Sequence, residues 1–287
     1  MTRRAAFTFT EFLVVIGIIA TIAALIFPVF ASAKNQARHV AWMDSFHQVS
    51  LGTTIYMGDY DDRYMIPKFN YDEPVDPVHD RTWVQGLLPY VRAFELFVCP
   101  ADNTRDPSLT AFDPDLVGAD TYARYYRAST RSNIGFNYAY LSPAYRNGQW
   151  VNEPRSSSSV NDPSNTLQFG DSVWEMKNGR PHGGGNFLVL PPCRFALSDG
   201  QIVDSFGISG GKSTNIFQGN LGWVEKSPDI FAQAGGLYAW FKTSITVSFT
   251  DGHTARLRMN QITAGCDVRD NWAGYILNES QYIWDLR

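Results

Sequence analysis

The chain has 287 residues, a formal charge of −4 and three cysteines. That length can bury a sizeable core, and the mild acidity, with no basic stripe and no single-stranded binding motif, leaves no electrostatic footprint for nucleic acid. Cys99, Cys193 and Cys266 are far apart and form no Cys-x-x-Cys pair, which argues against a zinc ribbon or thioredoxin-type site; an exported chain could close one disulfide, with the pairing left open.

The first predicted element is an apolar run from Phe12 to Phe27, interrupted only by Gly17 and Thr21. With Pro28-Val29-Phe30-Ala31 it reaches the ~20 residues that span hydrocarbon as a helix, giving a membrane span of about 12–31. Arg3 and Arg4 precede it, and Glu11 stands at its mouth. A carboxylate at membrane depth costs on the order of a few kcal/mol, so its presence requires a use. A cleaved secretory signal would take Arg3 and Arg4 as its basic region and Ala31-Ser32-Ala33 as its cut, but Glu11 interrupts the junction. The Arg3-Arg4 pair lacks the flanking context of a twin-arginine address. A plain single-span anchor gains nothing from Glu11, unless that side chain merely snorkels to the headgroups.

The stretch Arg3-Arg4-Ala5-Ala6-Phe7-Thr8-Phe9-Thr10-Glu11 resembles the N-terminus of type IV pilins and type II secretion pseudopilins. In that family a short basic leader ends in Gly or Ala, the mature chain begins with a methylated Phe, and Glu is its fifth residue. The resemblance implies a leader Met1–Ala6, a cut between Ala6 and Phe7, and Glu11 as the family's acid. Pro28, 21 positions after Phe7, falls where the family often bends its helix. Ala6 stands in place of the commoner Gly, and Phe9 and Thr10 replace the usual aliphatic pair. Cleavage would free an α-amine, cationic near neutral pH because its reference pKa is about 7.7–8.0. An unpaired ammonium and an unpaired carboxylate are both costly in a low-dielectric core. Pairing the Phe7 amine of one copy with Glu11 of the next relieves both and sets the axial stagger. Removing Arg3 and Arg4 with the leader takes the charge from −4 to −6.

The helical pattern continues past the span, with an amphipathic part over about 33–58. Lys34, Arg38 and His39 follow the apolar run, and Val40, Met43, Phe46 and Val49 recur at three-residue spacing, predicting a buried face. Gly52 and Gly58 weaken its end, and Asp59-Tyr60-Asp61-Asp62 reads as its stop. One helix over 7–58 would be roughly 78 Å long, too long to be covered by one small domain. Pro28 predicts a kink or local melting, and Gly17 and Pro28 are points at which the helix could stretch.

Residues 59–287 read as one extracytoplasmic domain. A short helix is expected over Trp83–Tyr90, loops over Tyr64–Asp80, Asn103–Asp120 and Arg146–Asn161, and short strands at Thr166–Phe169 and Asn186–Leu190. Arg194–Leu197 and Gln201–Ser205 flank Ser198-Asp199-Gly200, and Ser244–Phe249 and Thr254–Arg258 flank Thr250-Asp251-Gly252-His253. Both Asp-Gly pairs predict hairpins. The expected fold class is therefore α+β, with a long N-terminal helix packed on an antiparallel β-sheet domain, as in pilins.

A second resemblance is to exported prepilin-like proteins with large C-terminal domains. It rests on Tyr56-Met57-Gly58-Asp59-Tyr60-Asp61, on Cys99-Pro100-Ala101-Asp102, and on Phe249-Thr250-Asp251-Gly252-His253. His182-Gly183-Gly184-Gly185-Asn186-Phe187 looks like another shared part, displaced by a long insertion. Candidate ligand groups are few. Asp59, Asp61 and Asp62 offer oxygen ligands for calcium but lack EF-hand spacing, and otherwise form a solvated helix end. Asp171, His182, Asp251 and His253 are candidates for a metal or hydrolytic site, although a polar His253 after a hairpin turn needs no such role. The triple glycine lacks the Gly-Lys-Ser/Thr ending of a phosphate loop. Trp150, Trp223, Trp240 and Trp272 suit either sugar stacking or core and subunit contacts.

The resulting expectation is a structural subunit of a type IV pilus-like filament, a helical homopolymer with no cofactor and no catalytic residues. Its partners would be a prepilin peptidase, an assembly platform and, before assembly, the inner membrane; after assembly it would lie on the cell surface. A pseudopilin of a type II secretion machine and a membrane-tethered binding module or hydrolase are the alternatives.

Overall fold

The computed structural model describes residues 8–68, 81–105, 119–147, 149–198, 201–204, 223–224, 231–232, 236–242, 244–267 and 274–286. The chain divides into two compact units, Met1–Ala41 and Trp42–Arg287. Helix α1, Phe9–Asp59, contributes residues to both. Its first part is apolar on every side and exposed: Phe9 is 76% accessible and Phe27 71%. The helix runs through Pro28 without a break, so the local melting expected there is absent. The proline removes one N–H, and the turns on either side retain their own bonds.

Among the described residues the second unit combines the rest of α1 with four shorter helices: α2 (Trp83–Val91), α3 (Ala119–Thr130), α4 (Tyr138–Leu141) and α5 (Met259–Ile262). Its strands are β1 (Ile134–Phe136), β2 (Ala144–Asn147), β3 (Gln149–Asn152), β4 (Leu167–Val173), β5 (Glu175–Lys177), β6 (Arg180–His182), β7 (Cys193–Ser198), β8 (Gln201–Asp204), β9 (Trp223–Val224), β10 (Phe231–Ala232), β11 (Gly236–Leu237), β12 (Ile245–Phe249), β13 (Thr254–Leu257) and β14 (Gly274–Tyr275). The main sheet runs β1-β4-β12-β13, with β11 also on β4, and every pair in it is antiparallel. A smaller sheet runs β14-β7-β8, where β14 pairs with β7 in parallel. The fold is α+β, as the sequence pattern implies.

β4 and β12 are buried along their whole length, because each face of the sheet carries its own apolar cluster. One joins Trp42, Phe46, Val49, Tyr56 and Met57 of α1 to Trp83 and Leu87 of α2 and to Phe136 and Phe169. The other gathers Leu167, Val247, Phe249, Ile262 and Trp284. The chain end laces onto β4: Leu167 N–H donates to Ile283 O at 2.7 Å, and the Asn137 side-chain amide donates to both Leu167 O and Trp284 O at 2.9 Å.

The buried face of α1 differs from the expected one. Val40 is 62% exposed, while Trp42, Phe46 and Val49 are fully buried. A strict three-residue repeat drifts about 60° backwards per step on a 3.6-residue helix, so Val40 and Val49 end on opposite sides. The alternating three- and four-residue steps 42, 46, 49, 53 and 56 hold one side. Gly52 is no mere weak point: a Cβ there would collide with Val91 Cγ1, so the glycine lets α2 approach.

Two local expectations also change. Asn186–Leu190 is not a strand: among the described residues it makes a single parallel bridge, Phe136 with Leu188, and on the segment's other side Leu188 N–H donates to the Asn186 side chain at 3.0 Å. The segment 146–161 holds a hairpin, β2 with β3, where the Asn147-Gly148 pair was an available turn signal. A second Asn-Gly pair closes β5 and β6: Asn178 at φ 52° and Gly179 at φ 72° supply the two positive φ values of a type I′ turn. The helix near Trp83, here Trp83–Val91, and both Asp-Gly hairpins form as expected; Asp199 and Gly200 themselves lie outside the described residues.

Candidate functional site

Glu11 lies in the first turn of α1, and Thr8 immediately precedes the helix. The pattern Thr8-Phe9-Thr10-Glu11 is a Thr-x-x-Glu capping box. Thr8 N–H donates to Glu11 Oε2 at 2.8 Å, and the Thr8 hydroxyl donates to the same oxygen at 2.7 Å. Glu11 N–H donates back to Thr8 Oγ1 at 3.3 Å. The Thr-x-x-Glu spacing is a local signal for this cap, separate from both a partner's amine and snorkelling to the headgroups. The proposed processing residues Ala6 and Phe7, with the rest of the leader, lie outside the described residues.

Below this cap, α1 is the one helix among the described residues long and apolar enough to cross a membrane. Gly17 accepts the Thr21 hydroxyl on its carbonyl at 2.8 Å. A Cβ on Gly17 would meet nothing within 4 Å, so the chain's own packing does not explain a residue that costs about 1 kcal/mol in a helix.

The other candidates do not converge. Asp59 accepts from the Tyr90 hydroxyl at 3.0 Å, and Asp62 accepts from the Ser157 hydroxyl at 2.8 Å. Asp61 and Asp62 both sit at positive φ where the chain leaves α1. His182 pairs with Glu175 at 2.7 Å, and His253 with Asp251 at 2.6 Å while stacking on Phe249. Among the described residues no three His, Cys, Asp or Glu side chains are placed to hold a metal. A shallow concavity of about 510 Å³ is lined by Lys177, Asn178, Arg180, Pro181 and His182 at the β5–β6 hairpin.

The triple glycine serves packing. Gly183 and Gly184 adopt positive φ, and a Cβ on Gly185 would strike the Ser132 and Asn133 backbone. Arg131 stacks on Trp174, 3.4 Å from the ring centroid, and donates to Gly183 O at 3.0 Å. Partial burial holds the Arg131 guanidinium down at about 10.

Asp171 is the acid with the most perturbed setting, and it is fully buried in β4. Trp42 Nε1–H donates to its Oδ1 at 2.5 Å, and Thr246 N–H donates to its Oδ2 at 2.6 Å. Burial pushes its carboxyl up to about 7 despite these donors. It ties α1 to β4 and β12, a structural role. Its signal in sequence was an acid inside the apolar strand Leu167-Gln168-Phe169-Gly170-Asp171-Ser172-Val173.

Cys193 and Cys266 form a disulfide with a Cα–Cα distance of 5.8 Å, and Cys99 is buried as a free thiol that burial pushes upward. Trp240 is a core residue whose indole donates to Ser172 O at 2.9 Å. Trp150 and Trp223 lie in β3 and β9, and Trp272 is outside the described residues.

Comparison with protein-family models, with characterised proteins and with solved structures finds no match to this chain.

Proposed function

We propose that the chain is a structural subunit of a type IV pilus-like helical filament, cut after Ala6, N-methylated at Phe7 and assembled through α1. The observation that carries this reading is the first part of α1, where apolar side chains from Phe9 to Phe30 stand exposed around a single acid, Glu11. Such a surface requires lipid or other helices around it. Thr8 caps Glu11 within its own helix, but the carboxylate's charge stays unbalanced in lipid, and a neighbour's freed amine would balance it. Gly17, unneeded within the chain, suits close approach of a second helix. In this reading a prepilin peptidase trims and methylates the chain in the inner membrane. An assembly platform then moves α1 from lipid into a helical core, and head-to-tail contacts that do not close give an open filament.

The test combines N-terminal mass spectrometry with imaging of sheared fibres. Methylated Phe7 and fibres that vanish in Glu11→Ala are expected. An intact Met1, a cut after Ala33, or Glu11→Ala fibres at the level of the unaltered chain overturns the reading.

A further inference from the structure

We propose that the β5–β6 hairpin binds a phosphate monoester between Lys177 and Arg180. This goes beyond the filament reading and does not depend on it. The two strands pair Glu175 with His182, Met176 with Pro181 and Lys177 with Arg180. Residues opposite each other in an antiparallel pair share a face, as do alternate residues along a strand. One face therefore carries Glu175, Lys177, Arg180 and His182, all exposed, and the other carries the half-buried Met176 and Pro181. Met176 packs against the core, which holds the charged face outward. On that face Glu175 is already engaged by His182 at 2.7 Å. Lys177 and Arg180 stand directly opposite each other, and among the described residues neither makes a hydrogen bond or an ion pair.

Like charges directly opposite in a hairpin destabilise it. A lysine on the edge of a small sheet discourages pairing with other chains, but that use needs no second cation, and an acid opposite Lys177 would serve it without the repulsion. A local choice that opposes the fold is expected where a site uses it. A ligand that brings two negative charges to this point turns the repulsion into binding. A phosphate monoester carries about −1.5 to −2 at neutral pH, whereas a carboxylate or a phosphodiester carries a single charge and leaves one cation over. Arg recognises phosphate through a planar fork and Lys through a point charge, and the hairpin offers one of each. Asn178, exposed in the turn between them, adds an amide that can donate to oxygen. The concavity of about 510 Å³ at this hairpin falls within the roughly 300–1,000 Å³ of small-molecule sites and leaves room for the organic group that carries the phosphate. The chain's overall charge of −4 repels an extended polyanion, which would need several such contacts, so the ligand is small.

The test uses the full chain in micelles of a neutral detergent, with glycerol phosphate as the probe and the amide chemical shifts of the hairpin as the readout. Saturable shifts at Lys177, Asn178 and Arg180 are expected, with weaker binding of acetate at equal ionic strength. Arg180→Glu should weaken binding of glycerol phosphate at least about tenfold, the loss that follows from removing a charge-assisted hydrogen bond, and Lys177→Gln should act in the same direction. Without ligand, Arg180→Glu should slow hydrogen exchange at the hairpin amides about two- to fivefold, because attraction replaces repulsion; lost binding then does not reflect a lost fold. Absence of a saturable shift, equal affinity for acetate, or unchanged affinity in Arg180→Glu overturns the proposal. Faster ligand-free exchange in Arg180→Glu overturns it too, since the repulsion on which it stands would be absent. Binding to phosphatidylglycerol vesicles without a response to glycerol phosphate would make the partner a lipid surface and end the monoester assignment.

Discussion

The joint between α1 and the sheet makes stability depend on pH in a direction opposite to that of an ordinary surface carboxylate. Asp171 is raised by burial from 3.8 to about 7, so the folded chain holds that proton more tightly than the unfolded chain does. Between those two values the folded state binds more protons, and stability falls as pH rises. The full contribution is present below about 3.8, is lost progressively up to about 7, and changes no further above that. The displacement corresponds to on the order of 4 kcal/mol. The groups facing Asp171 are the Trp42 indole from α1, Thr246 from β12 and the buried Cys99 thiol, and Cys99 feels the acid's field. Denaturant unfolding of the full chain in micelles, followed by tryptophan fluorescence from pH 4 to 9, should show this loss. Asp171→Asn leaves one amide N–H facing a donor, a penalty that does not vary with pH, so its curve should lack the Asp171 component. Trp42→Phe strips one hydrogen bond from a buried carboxylate. Beyond its packing cost it should destabilise the chain by a further ~1.5–3 kcal/mol where Asp171 is ionised, and by less where it is protonated. Equal costs for Trp42→Phe at pH 5 and pH 9, or an unchanged pH slope in Asp171→Asn, would refute the reasoning.

Cys193 and Cys266 are 73 residues apart; reduction, or Cys193→Ser with Cys266→Ser, should cost about 4 kcal/mol by loop-closure entropy, read as a shift in denaturant midpoint. Gly52→Ala should cost about 1–3 kcal/mol by overpacking against Val91, and Val91→Ala should recover part of that loss in a double-mutant cycle. Gly179→Ala, placed at φ 72° in the β5–β6 turn, should lose about 1 kcal/mol with no effect on filament yield, because nothing assigns that hairpin to assembly.

What could be read ahead of the structure was set by local chemistry. The α1 run, the Trp83 helix and the Asp-Gly hairpins each depend on residues within a few positions of one another. The Thr8 cap and the Asn178-Gly179 turn are equally local, each written in residues within three positions of one another. Other features were never local. The partner of Cys193 depends on β14 lying beside β7, a pairing across about eighty positions. Which side of α1 is buried depends on where α2 and β4 sit, with Trp42 packed in the shared cluster and bonded to Asp171 of β4. An acid inside an apolar strand announced that some donor must meet it; it did not say that the donor was an indole 129 positions earlier.

The same accounting bears on what drives the proposed assembly. Moving an apolar helix from lipid to a bundle of identical helices gains almost no hydrophobic free energy, since lipid tails are as apolar as the side chains they leave. Val14, Ile18 and Leu25 therefore keep α1 out of water without choosing between the two environments. On the proposed reading the choice falls to the features that lipid does not satisfy: the close approach that Gly17 permits, the carbonyl that Pro28 leaves without its helical donor, and the charge of Glu11. Only the last carries charge, and its pairing alone would depend on a chemical event, the proposed cut that would turn the Phe7 amide into an amine. On the proposed reading Phe7 would carry no ammonium before the cut, and after it every copy would present an amine and a carboxylate at the same end. A subunit that works as proposed would stay dispersed while its leader is attached even though its apolar surface is unchanged. Replacing Val14 or Ile18 with other apolar residues should therefore alter filament yield far less than Glu11→Ala does.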